Sequence, residues 1–290
     1  MRILVIGRTG QLAASLAEKA SGLPDVELIS IGRPEFDLEK ASSIGGQISA
    51  RRPDLVINAA AYTAVDKAEI ETERAFAINR DGAAAVARAT EMLGVPFVHI
   101  STDYVFDGQK PQPYVEVDET APLNIYGRSK LEGETAVLEE HPHALILRTS
   151  WVFSPFGSNF LKTMLKLGTE RPMLRVVSDQ IGNPTSALDL ATAILEISHV
   201  LRRESGGLYH LTGEGSTSWH GFAGFIFKES AKRGGPHPAL EAIASAEYKT
   251  AAVRPTNSRL DCEAFASRFG VRLRPWTDAA AETVVRCIYR

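Results

Sequence analysis

"ILVIGRTGQLA", Ile3 to Ala13, joins an unbroken apolar run to a glycine-punctuated turn and then to a helical pattern that continues to Ala20. A short continuous apolar run suits a strand covered on both faces. Gly7, Gly10 and Ala13 stand in the spacing G-x-x-G-x-x-A. Glycine lets the backbone turn tightly and approach a pyrophosphate, while the helix amino terminus offers free N–H groups and partial positive charge. A small third residue keeps the helix close to the strand, and alanine serves. The alternative is an ordinary glycine-rich strand-to-helix turn; its place in the first such unit favours a dinucleotide site at the Gly7 to Ala13 turn.

The same alternation continues. "VELISIG" (26–32), "DLVINAAA" (54–61), "PFVHIST" (96–102), "ALILRTSWVF" (144–153) and "MLRVVS" (173–178) read as strands, separated by helix-length segments that include an alanine-rich stretch from Ala75 to Leu93. Strands alternating with helices predict an α/β fold with a Rossmann-type, doubly wound parallel sheet. After Val177 the rhythm loosens, with glycine and proline punctuation at "KRGGPHP" (232–238). The expected organisation is a dinucleotide-binding domain over 1–177 and a smaller, mixed, mainly substrate-binding lobe over 178–290, with some segments crossing back to the sheet.

Bulk properties narrow the class. The 290 residues are 44% apolar and 23% charged, ordinary for a soluble globular chain. A net charge of -3 provides no basic field for nucleic acid. No apolar run approaches the roughly 18–20 residues that span a bilayer, and the start, Met1-Arg2 followed by "ILVIG", reads as a strand rather than a signal segment. Cys262 and Cys287 have neither metal-ligand nor disulfide-framework spacing, so free thiols in a reducing cytoplasm are expected.

Four further stretches carry chemistry. At the end of the second strand, where an acidic residue often takes a ribose 2′-hydroxyl, the chain has Gly32-Arg33; an arginine there can pair with the 2′-phosphate of NADP, or be a surface residue. Asp37 and Leu38 follow at a distance suited to adenine. "NAAAYTAVDKAE" (58–69) removes side-chain bulk at a strand end, which suits either a flat cofactor or a packing joint. "YGRSK" places Tyr126 and Lys130 on one face of a helix. An ammonium beside a phenol lowers the phenol pKa and readies it to exchange a proton with a carbonyl. "STDYVFDG" (101–108) leaves an apolar strand through polar residues, so the Thr102 hydroxyl can share the carbonyl oxygen with Tyr126.

Taken together, these motifs resemble the extended short-chain dehydrogenase/reductases that act on nucleotide sugars, over essentially the whole chain. "STDYVFDG" followed by "PLNIYGRSK" (122–130) is the specific combination, joined by "LRTSWVF", "NFLKTML", "VSDQIGNPTS", "GLYHLTGEG" and "RPTNSRLD". The resemblance implies hydride transfer from NAD(P)H to C4 of a 4-keto-6-deoxy sugar on dTDP. Tyr126 would donate the proton, Lys130 would hold the nicotinamide ribose and lower the tyrosine pKa, and Thr102 with Asp103 would orient the sugar. Trp151 would lie against the sugar or nicotinamide, unless it is simple core. Carry-over of cofactor contacts gives Gly10, Gln11, Leu12, Asp37, Leu38, Ala61, Tyr62 and Thr63. The family accepts both dinucleotides; Arg33 favours NADPH. Arg254 and Asn257 are candidates for the diphosphate, with a structural tie between loops as the alternative. Some relatives dimerise through an acidic metal cluster, but Ser15 stands where they place a carboxylate, so no metal is expected and a homodimer is left open. A dehydratase would place glutamate where Tyr104 stands, and a 4-epimerase would show a Ser-Ser strand exit. Another nucleotide-sugar 4-ketoreductase, or a non-catalytic subunit like the regulatory β subunit of methionine adenosyltransferase, remains the competing reading.

Overall fold

Every strand that builds the central sheet is short and apolar, and the helices between them return the chain to the same edge. In the computed structural model, which describes residues 1–289, β1 (Arg2–Ile6), α1 (Gln11–Ala20), β2 (Glu27–Ile31), α2 (Ala41–Ser49) and β3 (Leu55–Asn58) come first. Next are α3 (Val65–Ala68), α4 (Thr72–Phe76), α5 (Ala83–Leu93), β4 (Phe97–Thr102), α6 (Ile125–Glu140) and β5 (Leu145–Thr149). The rest comprises β6 (Val152–Phe153), α7 (Phe160–Glu170), β7 (Met173–Val177), β8 (Ile181–Gly182), β9 (Thr185–Ser186), α8 (Ala187–Ser198), β10 (Gly207–His210) and β11 (Thr217–Ser218). It closes with α9 (Trp219–Ala231), β12 (Ala239–Ile243), α10 (Glu263–Phe269) and α11 (Trp276–Ile288).

Six strands form one sheet in the order β2-β1-β3-β4-β5-β10, with every pairing parallel. The expected Rossmann-type sheet is present. Its faces explain why β1 and β3 carry no polar alternation. On one side Leu12 and Leu16 of α1, Leu190 and Ile194 of α8 and Phe265 of α10 pack against Ile3, Val5 and Ile57. On the other, Ile44 and Ile48 of α2, Val86 of α5 and Val137 of α6 pack against Leu4, Ile6 and Val56. Strand order reverses beside β1, with β2 on one flank and β3 on the other. A crevice opens at such a switch point, beyond the carboxyl ends of the strands.

The boundary expected at residue 177 is crossed in both directions. β7, expected in the first domain, pairs instead with β12 in a separate two-stranded sheet. Together with α7, α9 and α11 it surrounds its own core of Leu161, Met164, Phe222, Ile226 and Val284. Conversely α8 and β10 lie after the boundary, yet α8 covers the main sheet and β10 is its edge strand. The physical reason is burial: the apolar face of α8 is matched by α1, not by the second core. Among the described residues no helix is long and apolar enough to cross a membrane.

Candidate active site

The turn after β1 is shaped by one conformation. Gly7 has φ +123°, a region closed to side chains, and its N–H donates to the Ile31 carbonyl at 2.7 Å. The Ala13 methyl packs 3.5 Å from where a Gly7 side chain would begin, so the small third residue does bring helix and strand together. Gly10, by contrast, has an ordinary φ of -68°, supplies no side-chain cap to α1, and faces open space. The first-turn N–H groups of α1 are thereby left for an anion.

That turn forms one end of a cavity of about 810 Å³ along the carboxyl edge of the sheet. Gly7, Gly10, Gln11, Leu12, Arg33, Asp37, Leu38, Ala61, Thr63, Thr102, Asp103, Tyr126, Lys130 and Trp151 all reach its wall. Gln11 does so with its side chain already engaged: the amide donates to the Val152 carbonyl at 3.1 Å and accepts from Ser154 and Asn159. Arg8 on the same rim pairs with Glu35 at 2.9 Å, whereas Arg33 has no ion pair among the described residues. Two buried oxygens on the wall, Thr149 Oγ1 and Asp103 Oδ2, have no hydrogen-bond partner among the described residues. A glycine cradle, a free arginine and unpartnered buried oxygens fit a dinucleotide with a polar co-substrate.

Three predicted residues lie elsewhere. Tyr62 turns its ring into the core beneath the cavity, and its backbone is clamped there by Asn79, whose amide accepts from Tyr62 N–H at 2.8 Å and donates to the Tyr62 carbonyl at 3.1 Å. Asn257 is a structural tie, donating to the carbonyls of Lys110 and Gln112. Arg254 is held by Asp66, 2.7 Å between Nη2 and Oδ2. Neither Arg254 nor Asn257 reaches the cavity wall, because their hydrogen-bonding groups face protein partners. Ser15 is buried and donates to the Gln11 carbonyl.

Tyr126 and Lys130 occupy the first turns of α6. Asn124 caps that helix by accepting from Gly127 N–H at 2.8 Å, and Gly127 lets it close on β4: a Cβ there would stand 2.1 Å from the Tyr104 carbonyl oxygen. Thr102, at the end of β4, donates to Asp103 Oδ1 at 3.0 Å and hydrogen-bonds the Tyr126 side chain. Burial pushes Asp103 up to about 7 and Tyr126 up to about 12. The lysine is not what tunes the tyrosine here. Lys130 Nζ donates to the Ile100 carbonyl at 2.7 Å and lies 3.2 Å from His99 Nε2, and burial pulls its own pKa down to about 8. The expected lowering of the Tyr126 pKa by Lys130 is thus corrected: desolvation of the phenol dominates.

On the lobe side of the cavity, Trp151 holds φ +45°, an unusual state for a non-glycine residue, and stacks on Trp219 with ring centroids 3.5 Å apart and planes 5° off parallel. Trp219 opens α9 in the second lobe and was not singled out from sequence; its only signal was an aromatic directly after "STS". Asn79 was hidden likewise. It lies in a π-helical segment, Ala77–Gly82, between α4 and α5, inside a stretch that composition marks only as helix.

A parallel sheet with a glycine turn at its switch point, and a Thr-Tyr-Lys cluster on the next strand and helix, define a short-chain dehydrogenase/reductase. Residues 1–288 match the family model for the RmlD substrate binding domain. A dTDP-4-dehydrorhamnose reductase from Sinorhizobium fredii (strain NBRC 101917 / NGR234) is 48% identical over 288 residues, 98% of this chain and 97% of its own. Another from Escherichia coli (strain K12) is 41% identical over 282 residues, covering 95% and 94%. The crystal structure of dTDP-4-dehydrorhamnose reductase from Bacillus anthracis in complex with NADP superposes with a TM-score of 0.92 at 35% identity, covering 98% of each chain. The chain belongs to the dTDP-4-dehydrorhamnose reductase family.

Proposed function

We propose that this chain reduces the C4 keto group of dTDP-4-dehydro-6-deoxy-L-mannose with NADPH, giving dTDP-L-rhamnose. The observation that carries this reading is the meeting of Thr102, Tyr126 and Lys130 in the cavity whose other end is the Gly7–Ala13 turn. NADPH bound along the sheet edge supplies the hydride that becomes the C4 hydrogen. Tyr126, with its pKa near 12, holds a proton at neutral pH and gives it to the oxygen at C4 as charge develops there. The Thr102 hydroxyl, its proton given to Asp103 Oδ1, holds the phenol beside the incoming carbonyl oxygen. Lys130 Nζ, anchored on the Ile100 carbonyl, faces the cavity to meet the nicotinamide ribose. Arg33 favours NADPH over NADH.

The test is incubation with the dTDP-4-keto sugar and NADPH, following dinucleotide oxidation by absorbance and the product by NMR. In Tyr126→Phe turnover should fall by about 10²- to 10⁴-fold while dinucleotide affinity is kept, since the ring still packs and only the proton donor is gone. Turnover near that of the parent in a folded Tyr126→Phe would move the acid to another group.

A further inference from the structure

The reaction described above leaves one buried ion pair unused. Glu134 lies on α6 one turn after Lys130, Arg148 lies on β5, and each is 3% exposed. Arg148 Nε donates to Glu134 Oε1 at 2.9 Å and Nη2 to Oε2 at 2.7 Å. Oε1 also accepts from the Ser101 hydroxyl at 2.5 Å. Ser101 is the register partner of Arg148 on β4 and immediately precedes Thr102. One carboxylate thus ties the helix that carries Tyr126 and Lys130 to the strand that ends in Thr102.

Stability does not account for the pair. Taking a carboxylate and a guanidinium out of water is costly, and apolar residues of the same volume often hold such a place as well. Nor is the pair fully satisfied, since Arg148 Nη1 has no hydrogen-bond partner among the described residues. What it supplies is a negative charge fixed in place. Three donors meet two oxygens, the complement of an ionised carboxylate, and the guanidinium lies over the Phe106 ring, 5.1 Å from its centroid. Residues four apart on a helix are neighbours, so the charge stands beside Lys130. Lys130 is itself buried, donates to the uncharged Ile100 carbonyl at 2.7 Å, and has no salt bridge among the described residues.

We propose that Glu134, fixed by Arg148 and Ser101, is a positioning residue: it is the counter-charge that holds Lys130 as an ammonium in the buried site. The surroundings agree. Burial pulls Lys130 down to about 8, and Glu134 acts against that fall. The other groups at this end of the cavity do not replace it. His99 of β4, with Nε2 3.2 Å from Nζ, is kept neutral by burial and by the charge of Lys130. Tyr126 of α6 is raised to about 12, and Asp103 after β4 is raised to about 7 and turned to Thr102. An ammonium donates to ribose hydroxyls, so Glu134 keeps Lys130 fit for the role read above, on which this inference rests.

The test is the titration midpoint of Lys130, followed by its ε-carbon shift in ¹³C-lysine-labelled, dinucleotide-free protein and assigned by its loss in Lys130→Met. Glu134→Gln keeps an acceptor for Arg148 and Ser101 but not the charge. Its midpoint should fall by about one pH unit, and the alkaline limb of kcat/KM should move with it. In Ser101→Ala, which removes a hydrogen bond and no charge, the midpoint should stay. Glu134→Gln combined with Arg148→Met leaves neither charge buried without its partner, so this variant should fold. Its midpoint should still fall, because Glu134 is the member of the pair that acts on Lys130. An unmoved midpoint in the folded double variant overturns the proposal, and so does an equal fall in Ser101→Ala. Failure to reduce the keto sugar would refute the proposed function without touching these midpoints, which are read on the free protein.

Discussion

Tyr126 and Lys130 share a helix face, yet each answers to a different neighbour: the phenol to Thr102, the lysine to the Ile100 carbonyl and His99. Spacing alone identifies a pair on one face but not which atoms they spend on the protein behind them. Two residues nearby allow sharp tests. Arg33 has no ion pair among the described residues, so its guanidinium is available to a phosphate. Arg33→Ala should weaken NADPH while leaving NADH nearly unchanged, read as dissociation constants by fluorescence titration; equal losses would make it a general rim residue. Asp103 is a carboxyl raised by burial from 3.8 to about 7. A raised folded pKa means the folded chain holds the proton more tightly. The stabilisation is complete below the unfolded pKa and is lost as pH rises toward 7. Asp103→Asn should therefore gain stability relative to the parent between pH 4 and pH 8, measured by urea denaturation at each. Parallel curves would mean that Asp103 does not titrate in this window.

Among the elements, α6 shows how a site residue inherits its position. The Asn124 cap, the close approach at Gly127 and the Asn79–Ser129 hydrogen bond of 2.9 Å fix its axis before any ligand arrives. "PLNIYGRSK" displays the cap and the glycine openly, so the placing of Tyr126 and Lys130 on one helix at the cavity was legible. Asn79 was not, because its partner Ser129 is 50 residues away and the π-helical turn that presents it leaves no compositional mark. Arg254 and Asn257 show a different limit: a polar motif near the chain's end looks the same whether it meets a phosphate or the 110–112 carbonyls and Asp66. Helix α9 contributes the wall that sequence did not reveal. Trp219→Ala should raise KM for the sugar nucleotide several-fold with little change in dinucleotide affinity, since Trp219 reaches the cavity wall from the lobe and stacks on Trp151. A loss confined to the dinucleotide would place the sugar elsewhere.

For the whole molecule, the lesson is connectivity. Periodicity gave the parallel sheet and its first five strands, but strand β10 arrives from beyond residue 200, where four residues between glycine-rich turns carry little pattern. The sheet thus needs chain from both halves. A fragment of residues 1–177 would lack α8, β10 and α10, leaving only α1 to cover Ile3, Val5, Ile57 and Leu147 on one face. It should fail to show a cooperative thermal transition by circular dichroism, whereas the full chain should show one; a cooperative fragment would mean that the first half folds unaided. The same interweaving lets one contact report on both parts. Trp151 ends the sheet and Trp219 begins a lobe helix, and the chain has only one other tryptophan, Trp276. Two indoles stacked face to face 3.5 Å apart are coupled chromophores, so their ultraviolet transitions mix and split. A molecule that slides between the rings, or tilts one against the other, changes that splitting without any label. The optical signature of the cavity is therefore set by the spacing of lobe and sheet, which a spectrometer can follow as the site fills.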